Sequence, residues 1–178
     1  MAKSYLWEML KEVEVNLLPE LLYKPERWKS VYVDYEPPFV ERLWYQLDAD
    51  HRLFLHHIAP CNVGESLWHP HPWPSIVKVM RGSGYEHGIG YDTTGQGSCP
   101  IGMVQVVHGE MTYEMSDPHA WHYVRPLWPS WSLMITGKPF ENPSPGYIKP
   151  TKVLSPLDDS KKAWMLTHWA RNYMVSPL

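Results

Sequence analysis

The sequence predicts a mainly β protein, an antiparallel sandwich or small barrel with one helix at each end, and three observations carry that expectation. Between residues 30 and 137, short apolar or alternating runs recur, each bounded by Pro, Gly, Asn or Asp. Runs of this kind read as strands of two packed sheets. The composition agrees: 18 Pro stiffen turns, and 10 Trp and 10 His supply polar-tipped rings for lining a cavity. Helical periodicity is confined to the two ends.

Taken in order, residues 3–14 place Leu6, Trp7, Met9, Leu10 and Val13 at helical spacing, with Pro19 and Pro25 limiting the run. Glu8, Glu12 and Glu14 inside that pattern argue for an amphipathic helix and against a secretory leader. Nine strand candidates follow: VYVDY, RLWYQL, RLFLHHI, SIVKVM, YEHGIGY, GMVQVV, EMTYEM, WHYVRP and WSLMITG. After a Pro-rich stretch over 139–157, Asp159 or Ser160 offers an N-cap. Trp164, Met165, Trp169 and Tyr173 then predict a closing helix over 159–173. At 178 residues the expectation is one domain, residues 1–178, with a barrel over about 30–137 and helical extensions at 3–14 and 159–173.

Charge and hydropathy exclude several classes. The net charge is −3, with acids and bases interspersed, so the basic footprint of a nucleic-acid binder is missing. No apolar stretch approaches the ~20 residues of a membrane helix, and cytoplasm is the expected compartment. Cys61 and Cys99 have neither metal-site spacing nor scaffold density and read as two free thiols.

The chemistry concentrates in LWHPHPWP. Side chains two apart on a strand share a face, so His69 and His71 would present both imidazoles to one side, a chelate geometry. By itself the stretch also reads as a polar turn before a strand. Gly64 stands five residues before His69, Ser75 four after His71, and Gly82 seven after Ser75. This pattern resembles the first signature of the cupin superfamily, with Ser75 where that signature has glutamate. PHAWH, with Pro118 and His122, resembles the second signature, one residue short between proline and histidine.

The resemblance implies a cupin barrel, the jelly-roll-like double-stranded β-helix, with one divalent transition metal held by His69, His71 and His122. His119, in the same turn, is the rival to His122. Fe(II) is the leading metal, with Zn, Ni, Mn or Cu as alternatives, since neutral imidazoles suit all of these and three ligands leave positions open. Histidines without the glutamate resemble the thiol dioxygenases among cupins. Arg42, 27 residues before His69, lies near the position from which that family's arginine grips a substrate carboxylate. That family's serine–histidine–tyrosine group falls here on Ser132, Met134 and Thr136, and Ser75 replaces its cross-linking cysteine, so another substrate is implied.

The expected site is therefore Arg42, Ser75 and Trp73 in catalytic roles beside the three metal histidines. Trp73 shares the parity of His69 and His71 and would wall the pocket. His56 and His57 alternate, so only one can face a cavity, and each reads as a satisfied or exposed histidine. Tyr85, Glu86, His87, His108 and Glu110 read as solvent-facing, and Trp68, Trp121, Trp128 and Trp131 as packing. The leading function is an Fe(II) oxygenase acting on a small molecule, in a homodimer. The alternatives are a non-catalytic metal- or ligand-binding cupin, or a Zn or Ni lyase, hydrolase or isomerase using Glu86 or Glu110 as acid or base.

Overall fold

The computed structural model describes residues 4–91, 101–144 and 153–173. Cys99 lies outside them, and Cys61 is a free thiol. The described strands are β1 (Lys29–Val33), β2 (Val40–Gln46), β3 (Arg52–Ile58), β4 (His69–Pro70), β5 (Ser75–Val79), β6 (Gly84–Tyr91), β7 (Ile101–His108), β8 (Thr112–Met115), β9 (Ala120–Pro126) and β10 (Ser130–Thr136). All nine sequence candidates are strands. The tenth, β4, is only two residues long because Pro70, Pro72 and Pro74 have no N–H to give to a ladder.

The strands form two antiparallel sheets, one ordered β1-β2-β3-β10-β5-β8 and the other β4-β9-β6-β7. Two antiparallel sheets with helices at both ends are the mainly β architecture that the sequence led one to expect. Gly64 and Gly82, the two glycines of that motif, hold φ of 81° and 78°, a left-handed conformation that side chains with a Cβ adopt only under strain.

Alternation along the larger sheet sorts its side chains by face. Leu43, Leu53, Leu55, Ile76, Leu133 and Ile135 share one cluster with the terminal helices. Phe54, Val77 and Met134 cluster separately, as do Ile58 and Val79 with Tyr85 and Val107 of the smaller sheet. The six-stranded sheet is thus covered by helices on one side and by the second sheet on the other. This is why β10 is buried along its whole length.

Both helical ends serve that covering. α1 (Tyr5–Glu12) runs into a π-helical turn over Val13–Leu17 and then α2 (Leu18–Leu21), so helical structure extends seven residues past the expected stop at 14. Pro19 does not end it. The wider turn, in which the Leu18 N–H reaches the Val13 carbonyl, makes room for a proline ring and its missing donor. α3 (Asp159–Tyr173) is capped one residue earlier than expected: Asp158 Oδ1 accepts the Lys161 N–H at 2.7 Å. Met165, Leu166 and Trp169 bury against the sheet, and the Trp131 ring lies between His57 at 4.3 Å and His168 at 3.9 Å. No helix among the described residues is long and apolar enough to cross a membrane.

Because Leu133 is fully buried at the centre of the helix-covered face, Leu133→Ala is expected to destabilise the fold by about 2–5 kcal/mol. Urea unfolding followed by tryptophan fluorescence measures it.

Candidate metal centre

Strand pairing brings the three histidines together. His69 of β4 sits directly opposite His122 of β9, and His71 follows two residues on. The clasp around them is main chain: the N–H groups of Gly137 and Phe140 donate to the carbonyls of Pro74 and Pro72. These bonds pin a segment that its own prolines leave short of donors.

His122 Nε2 lies 3.0 Å from His69 Nε2 and 3.0 Å from His71 Nε2. Ligand atoms of all three histidines fall within 4.8 Å of one another. Two nitrogens bound at right angles to one metal, each at about 2.1 Å, stand about 3.0 Å apart, so the spacing fits a shared ion. The far ring atoms agree. His69 Nδ1 is 3.1 Å from the Leu67 carbonyl, to which only an N–H can donate, so its Nε2 carries the lone pair. His71 Nδ1 meets Ser75 Oγ at 3.4 Å, and His122 Nδ1 meets His87 Nε2 at 3.1 Å.

Burial holds these rings neutral, the form that ligates. It pushes His69 down to about 4, with Arg42 adding in the same direction, and His71 and His122 well below the usual imidazole range, where neighbouring imidazoles add to it.

The three histidines form part of the wall of a cavity of about 110 Å³ between the sheets. Arg42 also lines it, from β2, together with His56, Tyr85, Tyr113 and Ser132. Apolar walls come from Ile58, Val77, Val124 and Met134.

Of the expected site residues, His69, His71, His122 and Arg42 reach this cavity, whereas Ser75 and Trp73 do not. Ser75 is fully buried on the Nδ1 side of His71, away from the converging nitrogens. It supports the ring from behind, and a longer side chain there would meet the back of the imidazole. The Trp73 ring stands 6.1 Å from that of His71, tilted by 31°, and packs beside it without walling the pocket. His119 is exposed in the turn before β9, its N–H donating to Asp117 Oδ1, and takes no part.

Two residues read as solvent-facing are buried instead. Tyr85 and His87 alternate along β6 toward the interior, and His87, fully buried, bridges His122 and the Gln105 side chain. Their shared parity in GYEHGIGY was the available signal, but turn residues on either side hid the strand's orientation. Glu86, of the opposite parity, is paired with Arg125 at 2.7 Å and bonded by the Tyr123 hydroxyl, which hold its carboxyl below the usual range. Glu110 and His108 are exposed as expected.

No family model matches the sequence, and no curated protein matches it. Among solved structures the chain is similar to KdgF from Halomonas sp., at 15% identity and TM-score 0.45, over 62% of this chain and 89% of that one. It is similar to an RmlC-like cupin from Shewanella frigidimarina NCIMB 400, at 12% identity and TM-score 0.43, over 63% and 86%. It is also similar to hydroxypropylphosphonic acid epoxidase from S. wedmorenis, at 12% and TM-score 0.46, over 64% of this chain and 56% of that one.

His87→Leu, which keeps the volume and removes the partner of His122 Nδ1, is expected to weaken Co(II) binding by about 10- to 100-fold. His119→Ala should leave it unchanged. Competition titration with a chromophoric chelator compares the two.

Acid should act on the metal-free protein first. With His69 and His87 pushed down to about 4 in the folded chain by burial and ordinary imidazoles near 6.5 in the unfolded chain, the unfolded state binds more protons below that value. Stability is then full above about pH 6.5 and falls as pH drops toward about 4. Melting temperatures between pH 7.5 and 4.5, with and without Co(II), should show this fall. Metal competition by protons should set in well below the value of about 6.5 for a free imidazole.

Proposed function

We propose that the protein is a cupin-type metal oxygenase that uses Fe(II) and acts on a small anionic molecule. The observation that carries the reading is the meeting of three imidazole lone pairs with an arginine in one cavity of about 110 Å³. His69, His71 and His122 would hold the ion, which when bound supplies Lewis acidity and redox capacity for dioxygen chemistry at positions the protein leaves open. The rest is the work of the chain. Arg42 presents a planar fork of N–H donors suited to a carboxylate or phosphonate, the Phe54 ring supporting its guanidinium at 5.3 Å. Ile58, Val77, Val124 and Met134 exclude bulk water, which strengthens each polar contact inside.

A lyase or hydrolase reading on the same scaffold needs an acid or base in the cavity. Neither Glu86 nor Glu110 lines it, whereas Glu36 does, on the loop before β2. That second reading therefore rests on Glu36.

The test loads metal-stripped protein with Fe(II) or Zn(II) and follows oxygen consumption over a panel of small carboxylates, thiol carboxylates and phosphonates. Uptake by the Fe(II) form alone is expected, and Arg42→Lys should raise KM by about tenfold while keeping the charge. Turnover of the panel without oxygen consumption, equal in both metal forms, would overturn the oxygenase in favour of the Glu36-based reading.

We also propose association with a second copy through β7, which is an edge strand among the described residues. Its Met103, Val104 and Val106 are 79%, 59% and 70% exposed, placing apolar surface on both faces of an open edge, and an antiparallel twofold copy of the strand satisfies both. Sedimentation equilibrium should give a dimer that Val106→Lys dissociates. A concentration-independent mass of 20.8 kDa for the unaltered chain would remove the proposal.

A further inference from the structure

Across the inner face of the six-stranded sheet runs a polar row. Arg42 of β2 lies opposite His56 of β3, and His56 opposite Ser132 of β10. All three line the cavity. His56 Nδ1 is 3.2 Å from Ser132 Oγ, and in the same cavity the Tyr85 and Tyr113 hydroxyls meet at 2.7 Å. The far ring nitrogen, His56 Nε2, is a buried atom with no hydrogen-bond partner on a residue only 6% exposed.

Protons can be placed on this pair in two ways. If Ser132 donates to His56 Nδ1, the hydroxyl proton has an acceptor. The histidine proton is then on Nε2. The reverse polarity, Nδ1–H to Oγ, leaves two groups wanting, the Ser132 hydroxyl proton and a bare Nε2 lone pair. Unmade buried hydrogen bonds are costly, so the first arrangement is favoured, and an anion in the cavity selects it further. The Nε2–H then belongs to the same row as the Arg42 guanidinium, both supported on the Phe54 ring.

We propose that His56 Nε2–H and Arg42 form a two-donor subsite for an oxyanion, carboxylate or phosphonate, of the molecule that reaches the metal centre, with Ser132 fixing the polarity. The inference rests on the anionic-substrate reading above and adds the second donor to it. His56 is a binding residue here, and Ser132 a positioning residue acting through it. Burial, with Arg42 and His71 adding in the same sense, holds His56 neutral across physiological pH, so the donor is a dipole beside one full positive charge.

The experiment uses Co(II)-loaded protein and two thiols that bind a soft-tolerant metal alike but differ at the far end: mercaptoacetate, with a carboxylate, and 2-mercaptoethanol, with a hydroxyl. The sulfur-to-cobalt absorption band gives Kd for each, and the ratio of the two measures the oxyanion subsite. A repeat with 3-mercaptopropionate covers a longer reach. The unaltered protein should favour the better-fitting carboxylate by about tenfold or more over the neutral thiol. His56→Leu should lose about tenfold of that preference with 2-mercaptoethanol affinity unchanged, and His56→Gln, which restores an N–H, should recover part of it. Ser132→Ala, which removes one oxygen and keeps the imidazole, should lose about threefold and serves if His56→Leu does not fold. If the unaltered protein shows no carboxylate preference, the anionic-substrate reading fails and this subsite with it. If the preference stands in the unaltered protein and is unchanged in folded His56→Leu, or in Ser132→Ala and His56→Gln where His56→Leu does not fold, His56 is no part of the subsite and the broader reading survives.

Discussion

Three imidazole nitrogens gathered within 4.8 Å of one another inside a protein, His122 Nε2 at 3.0 Å from each of the other two, repel unless something positive sits among them. A proton can satisfy one such pair, and a metal ion satisfies all three at once. The chain builds this constraint into its backbone, since His69 and His122 are partners in the ladder between β4 and β9. That register fixes the distance between their Cα atoms, and only side-chain torsions remain to bring the rings together. The carbonyl of Leu67 then decides which nitrogen of His69 carries the proton, and His87 stands at the corresponding position behind His122. The converging lone pairs depend on these second partners as much as on the histidines themselves.

Holding that arrangement requires a stiff wall on the opposite side, and the six-stranded sheet is stiff because both of its faces are buried. Leu43, Leu55 and Leu133 lock it to α1, α2 and α3, while Phe54, Ile58 and Met134 face the interior. The helical ends are therefore part of the site's support. The rigid sheet also explains why polar groups can be afforded on its inner face. Arg42, His56 and Ser132 occupy one cross-strand row, so each is positioned by main-chain register before any side-chain contact forms. The cavity joins this row to the histidines of the opposing sheet, and neither sheet alone contains the constellation.

Much of this was legible beforehand. The spacing of His69, His71, Gly64 and Gly82 encodes local geometry: side chains two apart on an extended segment, flanked by turns that need left-handed backbone. Such features act over a few residues and survive translation into structure. The misreadings have a common cause as well. Ser75 was placed by its distance from His71 along the chain, but between them Pro72 and Pro74 bend the backbone, and its hydroxyl arrives behind the ring. Trp73 was assigned by parity through the same bend, where parity does not hold. His87 and Tyr85 were misjudged because burial of a strand face depends on what packs over it.

By itself, then, the sequence determined the class of the fold, the nine principal strands, the terminal helices and the histidine chelate, because periodicity, turn chemistry and short-range spacing are local properties. Only the tertiary structure decided that His122 and not His119 completes the triad, that His87 stands behind it, and that His56 and Ser132 are hydrogen-bonded in one row beside Arg42. These are meetings between residues up to 76 positions apart. They follow from strand order and register, which are selected by the packing of the whole core, and no local rule along the chain contains them.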